Sequence, residues 1–203
     1  MNRVIAYIDG FNLYFGLREK GWRRFYWLNV QLLVQNLLKF NQELVMTKYF
    51  TARVIGSPDK QKRQSTFIEA LETLPNFKIF YGKYQLNTRE CPNCGFKDKV
   101  PNEKMTDVNI AVEMLSDAIN DKFDIALLLS ADSDLIPPVR AIKNTFTQKR
   151  IIAVFPPKRE SVELSGIAHA CLRVGRASLA RSLFPDEIKK ADGFILQRPA
   201  TWK

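Results

Sequence analysis

Four aspartates stand where an apolar run gives way to a turn or where a helical pattern begins. Asp9 closes the run VIAYI in YIDGFN, Asp132 and Asp134 follow IALLL in LLLSADSDL, and Asp107 opens the pattern EKMTDVNIAVEML. In open parallel α/β sheets the carboxyl ends of strands are where functional loops converge, so these acids are placed to meet. Carboxylates held within a few ångströms cannot all stay ionised at neutral pH unless a cation compensates, because like charges raise one another's pKa. Hard oxygen donors select Mg²⁺ or Mn²⁺ over zinc, and such ions bridge phosphates and activate water. With two metals, one activates the water and the other stabilises the leaving oxygen; with one, a carboxylate shares the role of base, and the spacing accommodates both cases. Singly, each acid has a plainer use: Asp9 as a turn residue before Gly10, Asp107 as a first-turn acid complementing a helix dipole, Asp132 to Asp134 as the cap of the next helix. Their shared placement at strand ends is what points to one site. Asn12 and Ser130 are positioned to support it by hydrogen bonds, and Glu103 is either a fifth acid or a solvated loop residue.

The rest of the chemistry is narrowed by what is scarce. His169 is the single histidine, which excludes paired-histidine ribonucleases and histidine-rich zinc hydrolases. A phosphohydrolase with an aspartate nucleophile would want Asp-x-Asp at the first strand, where the chain reads Asp9-Gly10-Phe11. Charge is divided unevenly. The chain carries 31 Lys and Arg against 21 Asp and Glu, a formal +10, yet ten acids and only four bases fall between Glu90 and Asp134. An acidic centre in a basic frame suits a metal-dependent enzyme acting on a polyanion, since cations gather the phosphate backbone and carboxylates hold the metal.

The elements that must position these residues read as strands alternating with helices. Val4 to Ile8 is a buried strand; Asn29 caps a helix bearing Leu32, Leu33, Leu37, Leu38 and Phe40; Leu44 to Val54 is a second strand. Ser57-Pro58 starts a helix, Phe77 to Leu86 is the third strand, and the helix Asp107 to Ile119, which Thr106 is placed to cap, leads to the strand Asp124 to Leu129. A helix follows Leu135, Ile151 to Phe155 is the fifth strand, and Cys171 to Val174 a short sixth. This alternation predicts an α/β fold with a mainly parallel sheet covered on both faces. Length and continuity predict one domain over residues 1–185, with a cysteine-containing insertion at 87–105 and a tail at 186–203.

YIDGFNLY, EKMTDVNIAVEML and LLLSADSDLIPPVRAIK together resemble the three acidic motifs of the NYN domain, a branch of the PIN-like nucleases, close to its LabA-like group. The resemblance runs from Asn2 to about Val174. It implies a Rossmann-like, three-layer PIN-like sheet in the strand order 3-2-1-4-5 and a metal-dependent ribonuclease activity. By motif position it gives Asp9, Asp107, Asp132 and Asp134 the Mg²⁺ or Mn²⁺, with Asn12 and Ser130 in support. The expected reaction is endonucleolytic hydrolysis of RNA leaving a 5′-phosphate and a 3′-hydroxyl. A non-catalytic RNA- or nucleotide-binding regulator that keeps the fold is the competing expectation, because fold does not guarantee turnover.

Two further features concern partners. Cys91-Pro-Asn-Cys94-Gly is half of a zinc knuckle, two ligands short of a structural site; zinc there would need a second copy of the chain, and free thiols or the remnant of a fuller knuckle is the favoured reading. For RNA, Lys158 and Arg159 follow the fifth strand on the edge that holds the acids, and Arg23 and Arg24 sit in GWRRFYW, whose Trp22, Phe25, Tyr26 and Trp27 are candidates to stack on bases, at least two of them being expected in the core. Three cysteines, no apolar leader and no membrane-length run predict a cytoplasmic protein without a membrane partner, with a homodimer left open.

Overall fold

A computed structural model describes the backbone of residues 1–203 and the side chains of all but 85–87 and 99–102. In chain order the elements are β1 (Asn2–Asp9), α1 (Gly10–Glu19), α2 (Val30–Gln35), β2 (Gln42–Thr51), α3 (Pro58–Glu72), β3 (Phe77–Tyr81), β4 (Lys83–Glu90), β5 (Lys97–Lys104), α4 (Thr106–Ile119), β6 (Ile125–Leu129), α5 (Ile136–Thr145), β7 (Arg150–Phe155), α6 (Val162–Ile167), β8 (Ala170–Arg173), α7 (Arg176–Ala180), β9 (Glu187–Lys189) and β10 (Ile195–Gln197). Six strands form one sheet in the order β3-β2-β1-β6-β7-β8, and every pair in it is parallel. With the β4–β5 hairpin set aside, that is the expected order 3-2-1-4-5 extended by the short sixth strand.

The period of two along β1 explains the three layers. Val4, Ala6 and Ile8 face a core shared with Leu13 and Leu17 of α1, Leu33 of α2 and Leu71 of α3. Ile5 and Tyr7 face the opposite core, filled by Ile110 and Met114 of α4 and by Val139 and Ile142 of α5. Buried on both sides, β1 and β6 carry no alternation of polar residues, which is why they read as continuous apolar runs. Charge is also buried. Lys48 of β2 reaches Glu113 at 2.6 Å and Asp117 at 2.5 Å, and the hydroxyl of Tyr7 donates to Asp117 at 2.7 Å.

Four local readings are corrected by the structure. Gly10 does not end in a turn but opens α1, because the Asp9 carboxylate caps it by accepting from the Asn12 N–H at 2.9 Å and Leu13 and Leu17 face the core one turn apart. The helix capped by Asn29 stops at Gln35, leaving Leu37 and Leu38 packed from a turn and Phe40 fully exposed. The third strand ends at Tyr81 rather than Leu86, and the chain then leaves the sheet as the antiparallel β4–β5 hairpin with Lys83 opposite Lys104. Gly82 makes this departure, since a Cβ there would stand 2.6 Å from the Lys104 carbonyl and 2.8 Å from Glu103 Oε1. Finally, Thr106 is the first residue of α4 instead of its cap; Met105 holds the cap position with φ +79°, and the Glu103 carboxylate accepts from the N–H and hydroxyl of Thr106. The segment 186–203 is ordered as the β9–β10 hairpin and a final turn, with Leu196 buried and Trp202 packed on Trp27.

Candidate active site

Asp9 anchors the site. It ends β1 at the carboxyl edge of the sheet and is 4% exposed, with one oxygen capping α1 and the other accepting from the Ser130 hydroxyl at 3.0 Å. Ser130 in turn accepts from the Asp132 N–H at 3.1 Å, and Asp132 accepts from the Asp134 N–H at 3.0 Å. Asn12 crosses from α1 to accept the Ala131 N–H at 3.1 Å. These short bonds tie the ends of β1 and β6 into one rigid loop, so the backbone donors that follow each strand are satisfied by the side chains of the motif itself.

Asp107 enters from the first turn of α4 and Glu103 from the end of β5. The five carboxyl groups lie within electrostatic reach of one another. Burial pushes the Asp9 carboxyl up to about 6; hydrogen bonds from Asn12 and Ser130 draw it back, and the charges of Asp132 and Glu103 raise it again. Burial also pushes Asp107 up, to about 7, with Asp132, Asp9, Glu103 and Asp134 adding in that order. Every charge acting on these two groups is negative. Most of the remaining central acids are spent elsewhere: Glu90 on Lys97, Glu113 and Asp117 on Lys48, Asp121 and Asp124 on Arg3.

Oxygen-only donors, one of them fixed by two hydrogen bonds, and mutual repulsion with no ion pair to any of the five among the described residues fit a hard divalent ion in chemical kind. Among the described residues, however, no group of three or more His, Cys, Asp and Glu side chains is arranged to hold a metal ion as it stands.

The sequence carries the signature that matches this geometry, for a model of the NYN domain aligns with residues 3–172. The chain belongs to the NYN domain family. That places it among the PIN-like nucleases as a group. A curated relative, 6-hydroxy-3-succinoylpyridine 3-monooxygenase HspA of Pseudomonas putida, is 29% identical over 189 residues, covering 76% of this chain and 59% of the relative. The chain therefore spans less than two thirds of the length of the curated relative it matches. A crystal structure of a protein of unknown function from Vibrio parahaemolyticus shares the fold, with a TM-score of 0.56 and 17% identity over 90% of this chain and 96% of that one.

Around the acids of this NYN domain the expected cations are placed unevenly. Lys158 is exposed at φ +60°, while Arg159 is paired with Glu19 of α1. Gly16 permits that approach: a Cβ there would lie 2.4 Å from the Pro157 carbonyl. Arg23 and Arg24 are exposed on a 3-10 turn. Trp27 and Phe25 are core residues, leaving Trp22 and Tyr26 half-buried at the surface. Sequence reasoning missed Phe11, Tyr14 and Phe15, which follow from α1, and Tyr84, which stands opposite Glu103 in the hairpin. They line a groove of about 850 Å³ to which Gly10, the residue after Asp9, also contributes.

Cys91 and Cys94 lie at the tip of the β4–β5 hairpin as free thiols, and backbone N–H groups of Asn93 and Cys94 hold the Cys91 thiol below its usual range. In the same insertion Arg89 and Lys97 are exposed, and the side chain of Lys99 lies outside the described residues. His169 accepts from the Ile151 N–H at 3.0 Å and holds the sheet edge. Among the described residues no helix is long and apolar enough to cross a membrane.

Proposed function

We propose that the protein is a metal-dependent endoribonuclease in which Asp9, Asp107, Asp132 and Asp134 hold Mg²⁺ or Mn²⁺, with Glu103 beside them. The observation that carries this reading is the gathering of carboxyl groups from four stretches of chain around the carboxyl end of β1, where burial first and neighbouring carboxylates second raise Asp9 to about 6 and Asp107 to about 7. A bound divalent ion supplies Lewis acidity toward a phosphate oxygen and lowers the pKa of water. The chain does the rest. Asp9, locked by Asn12 and Ser130, fixes the position of the site; the Ser130–Asp132–Asp134 chain of hydrogen bonds fixes the opposite wall. Glu103 spends an oxygen on capping α4, whereas Asp107 is half-buried in the first turn of that helix, which leaves its carboxylate to hold the ion or to share the role of base. Lys158, Arg23 and Arg24 are the proposed backbone contacts, with the Arg159 guanidinium available only by leaving Glu19.

The test is cleavage of labelled single-stranded and structured RNA in Mn²⁺, Mg²⁺ or EDTA, with Asp132→Asn purified in parallel. Metal-dependent cutting that disappears in the variant supports the reading, and equal cutting by both proteins refutes it. If neither cuts and both bind RNA alike, the non-catalytic regulator takes its place. A second reading is favoured by the aromatic groove beside Asp9 together with the name of the Pseudomonas putida relative: monooxygenation of a hydroxypyridine. Oxygen uptake on adding 6-hydroxy-3-succinoylpyridine and a reductant, unaffected by RNA, supports that reading against the first.

A further inference from the structure

The groove lined by Gly10 and α1 is bounded by parts of the chain far apart in sequence, and its aromatic rings touch in an unbroken series. Tyr84 lies edge-on to Phe11 with centroids 5.8 Å apart, Phe11 stacks on Phe15 at 6.2 Å, and Phe15 meets Tyr14 at 5.5 Å. Tyr14 then meets Tyr26 at 5.0 Å, and Tyr26 meets Trp202 at 5.8 Å. One end of this series is at the acids, because Tyr84 sits opposite Glu103 and burial, with the charge of Glu103, raises its pKa. The other end is Trp202, beyond the 3–172 span of the family match and braced against the fully buried Trp27 at 6.4 Å. Tyr14 and Phe15 are 40% and 37% exposed, which is unusual for rings with so much apolar area to bury.

The charge along the groove has one sign. Arg18, Arg23, Lys60 and Arg63 line it, no Asp or Glu does, and none of these four cations forms an ion pair among the described residues. Aromatic faces with unpaired cations beside them are the arrangement that binds single-stranded nucleic acid, the rings taking bases and the cations taking phosphates. A duplex keeps its base faces stacked inside and offers them to no ring.

We propose that this groove is the track by which unpaired nucleotides reach the carboxylates, and that the segment 186–203 completes it by supplying Trp202. The substrate class is thereby single-stranded RNA or an unpaired stretch of a folded one. The inference takes its RNA from the proposed nuclease reading but does not depend on cleavage.

The experiment measures binding in EDTA, by fluorescence anisotropy, of a labelled twelve-residue oligouridine, a twelve-base-pair RNA duplex and inorganic polyphosphate of similar charge. Oligouridine should bind tightest. Tyr14→Ala should weaken it by roughly five- to hundred-fold, the range of one stacked base, while Tyr14→Phe keeps the affinity. Tyr14 is 40% exposed but packs on Phe15 and Tyr26, so Tyr14→Ala and Trp202→Ala are each read with their melting temperatures beside them and at a temperature where both are folded. Equal affinity of Tyr14→Ala and wild type overturns the proposal, as does duplex or polyphosphate binding as tight as oligouridine. If the wild type fails to cut RNA in Mn²⁺ while the ring dependence persists in EDTA, the nuclease reading falls and the track stands.

Discussion

Replacing Asp9 by Asn removes a charge from the most enclosed position of the acidic site while keeping the helix cap, because Asn is as good a cap as Asp and still accepts from the Asn12 N–H; the bond to Ser130 must reverse, the Asn amide donating to the hydroxyl oxygen. Raising a carboxyl from 3.8 to about 6 costs the folded state about 3 kcal/mol once the group is ionised, at about 1.4 kcal/mol per decade. Since the folded value lies above the unfolded one, the stability is fully present below pH 3.8 and is lost as pH rises through 6. Asp9→Asn should therefore gain on the wild type by about 2–3 kcal/mol between pH 4 and pH 7.5, or roughly 5–10 °C in melting temperature for a chain of this size. The assay is urea or thermal unfolding of both proteins in EDTA across that range. Mn²⁺ should then raise the wild-type melting temperature and raise that of Asp9→Asn by less, since only the wild type has the full set of ligands. A stability difference between the two proteins that stays constant from pH 4 to pH 7.5 would refute the claim that burial, reinforced by the neighbouring carboxylates, makes Asp9 costly to ionise in the fold.

Gly82→Ala should destabilise by about 1–3 kcal/mol in urea unfolding, because the new methyl would meet the Lys104 carbonyl and Glu103, and cleavage should fall as Glu103 is displaced. Lys48→Met leaves the fully buried Asp117 without its nearest cation and should cost about 3–5 kcal/mol; adding Asp117→Asn should recover part of it, since Asn still accepts from Tyr7. Asn12→Ala strips the Ala131 N–H of its acceptor, with an expected cost of about 1 kcal/mol in unfolding and a larger loss of cleavage than of stability.

The acidic site was legible because Asp9, Asp132 and Asp134 follow closely on strands with a strong apolar signal and Asp107 opens a helix with a clear apolar pattern. VIAYI and IALLL could be placed without knowing their neighbours, and the acids came with them. Glu103 was ambiguous because its position depends on the β4–β5 pairing, whose arms are polar on both faces and carry no periodic signal. Helix α1 was hidden by the glycines at its start and middle, which read as punctuation; here Gly10 and Gly16 serve close packing, against Tyr49 and the Pro157 carbonyl. The pairing of Lys48 with Asp117 spans 69 residues and leaves no local trace, so most of the central acids looked available to the site when only some are. The groove is the extreme case. Its rings come from α1, the 3-10 turn, the hairpin and the last turn, and no window of sequence contains them together.

The hairpin between Gly82 and Met105 carries a further consequence for how this chain tolerates change. Its two arms are matched residue for residue from Lys83–Lys104 to Glu90–Lys97. Residues added within the turn at Cys91 to Phe96 lengthen the tip and leave that register intact. A single residue added to either arm turns every following side chain to the other face, and Glu103 with it. The cysteine tip is thus a place where tags, loops or whole modules can be grafted without notice at the acids, whereas one inserted codon a few positions away reverses the wall of the site.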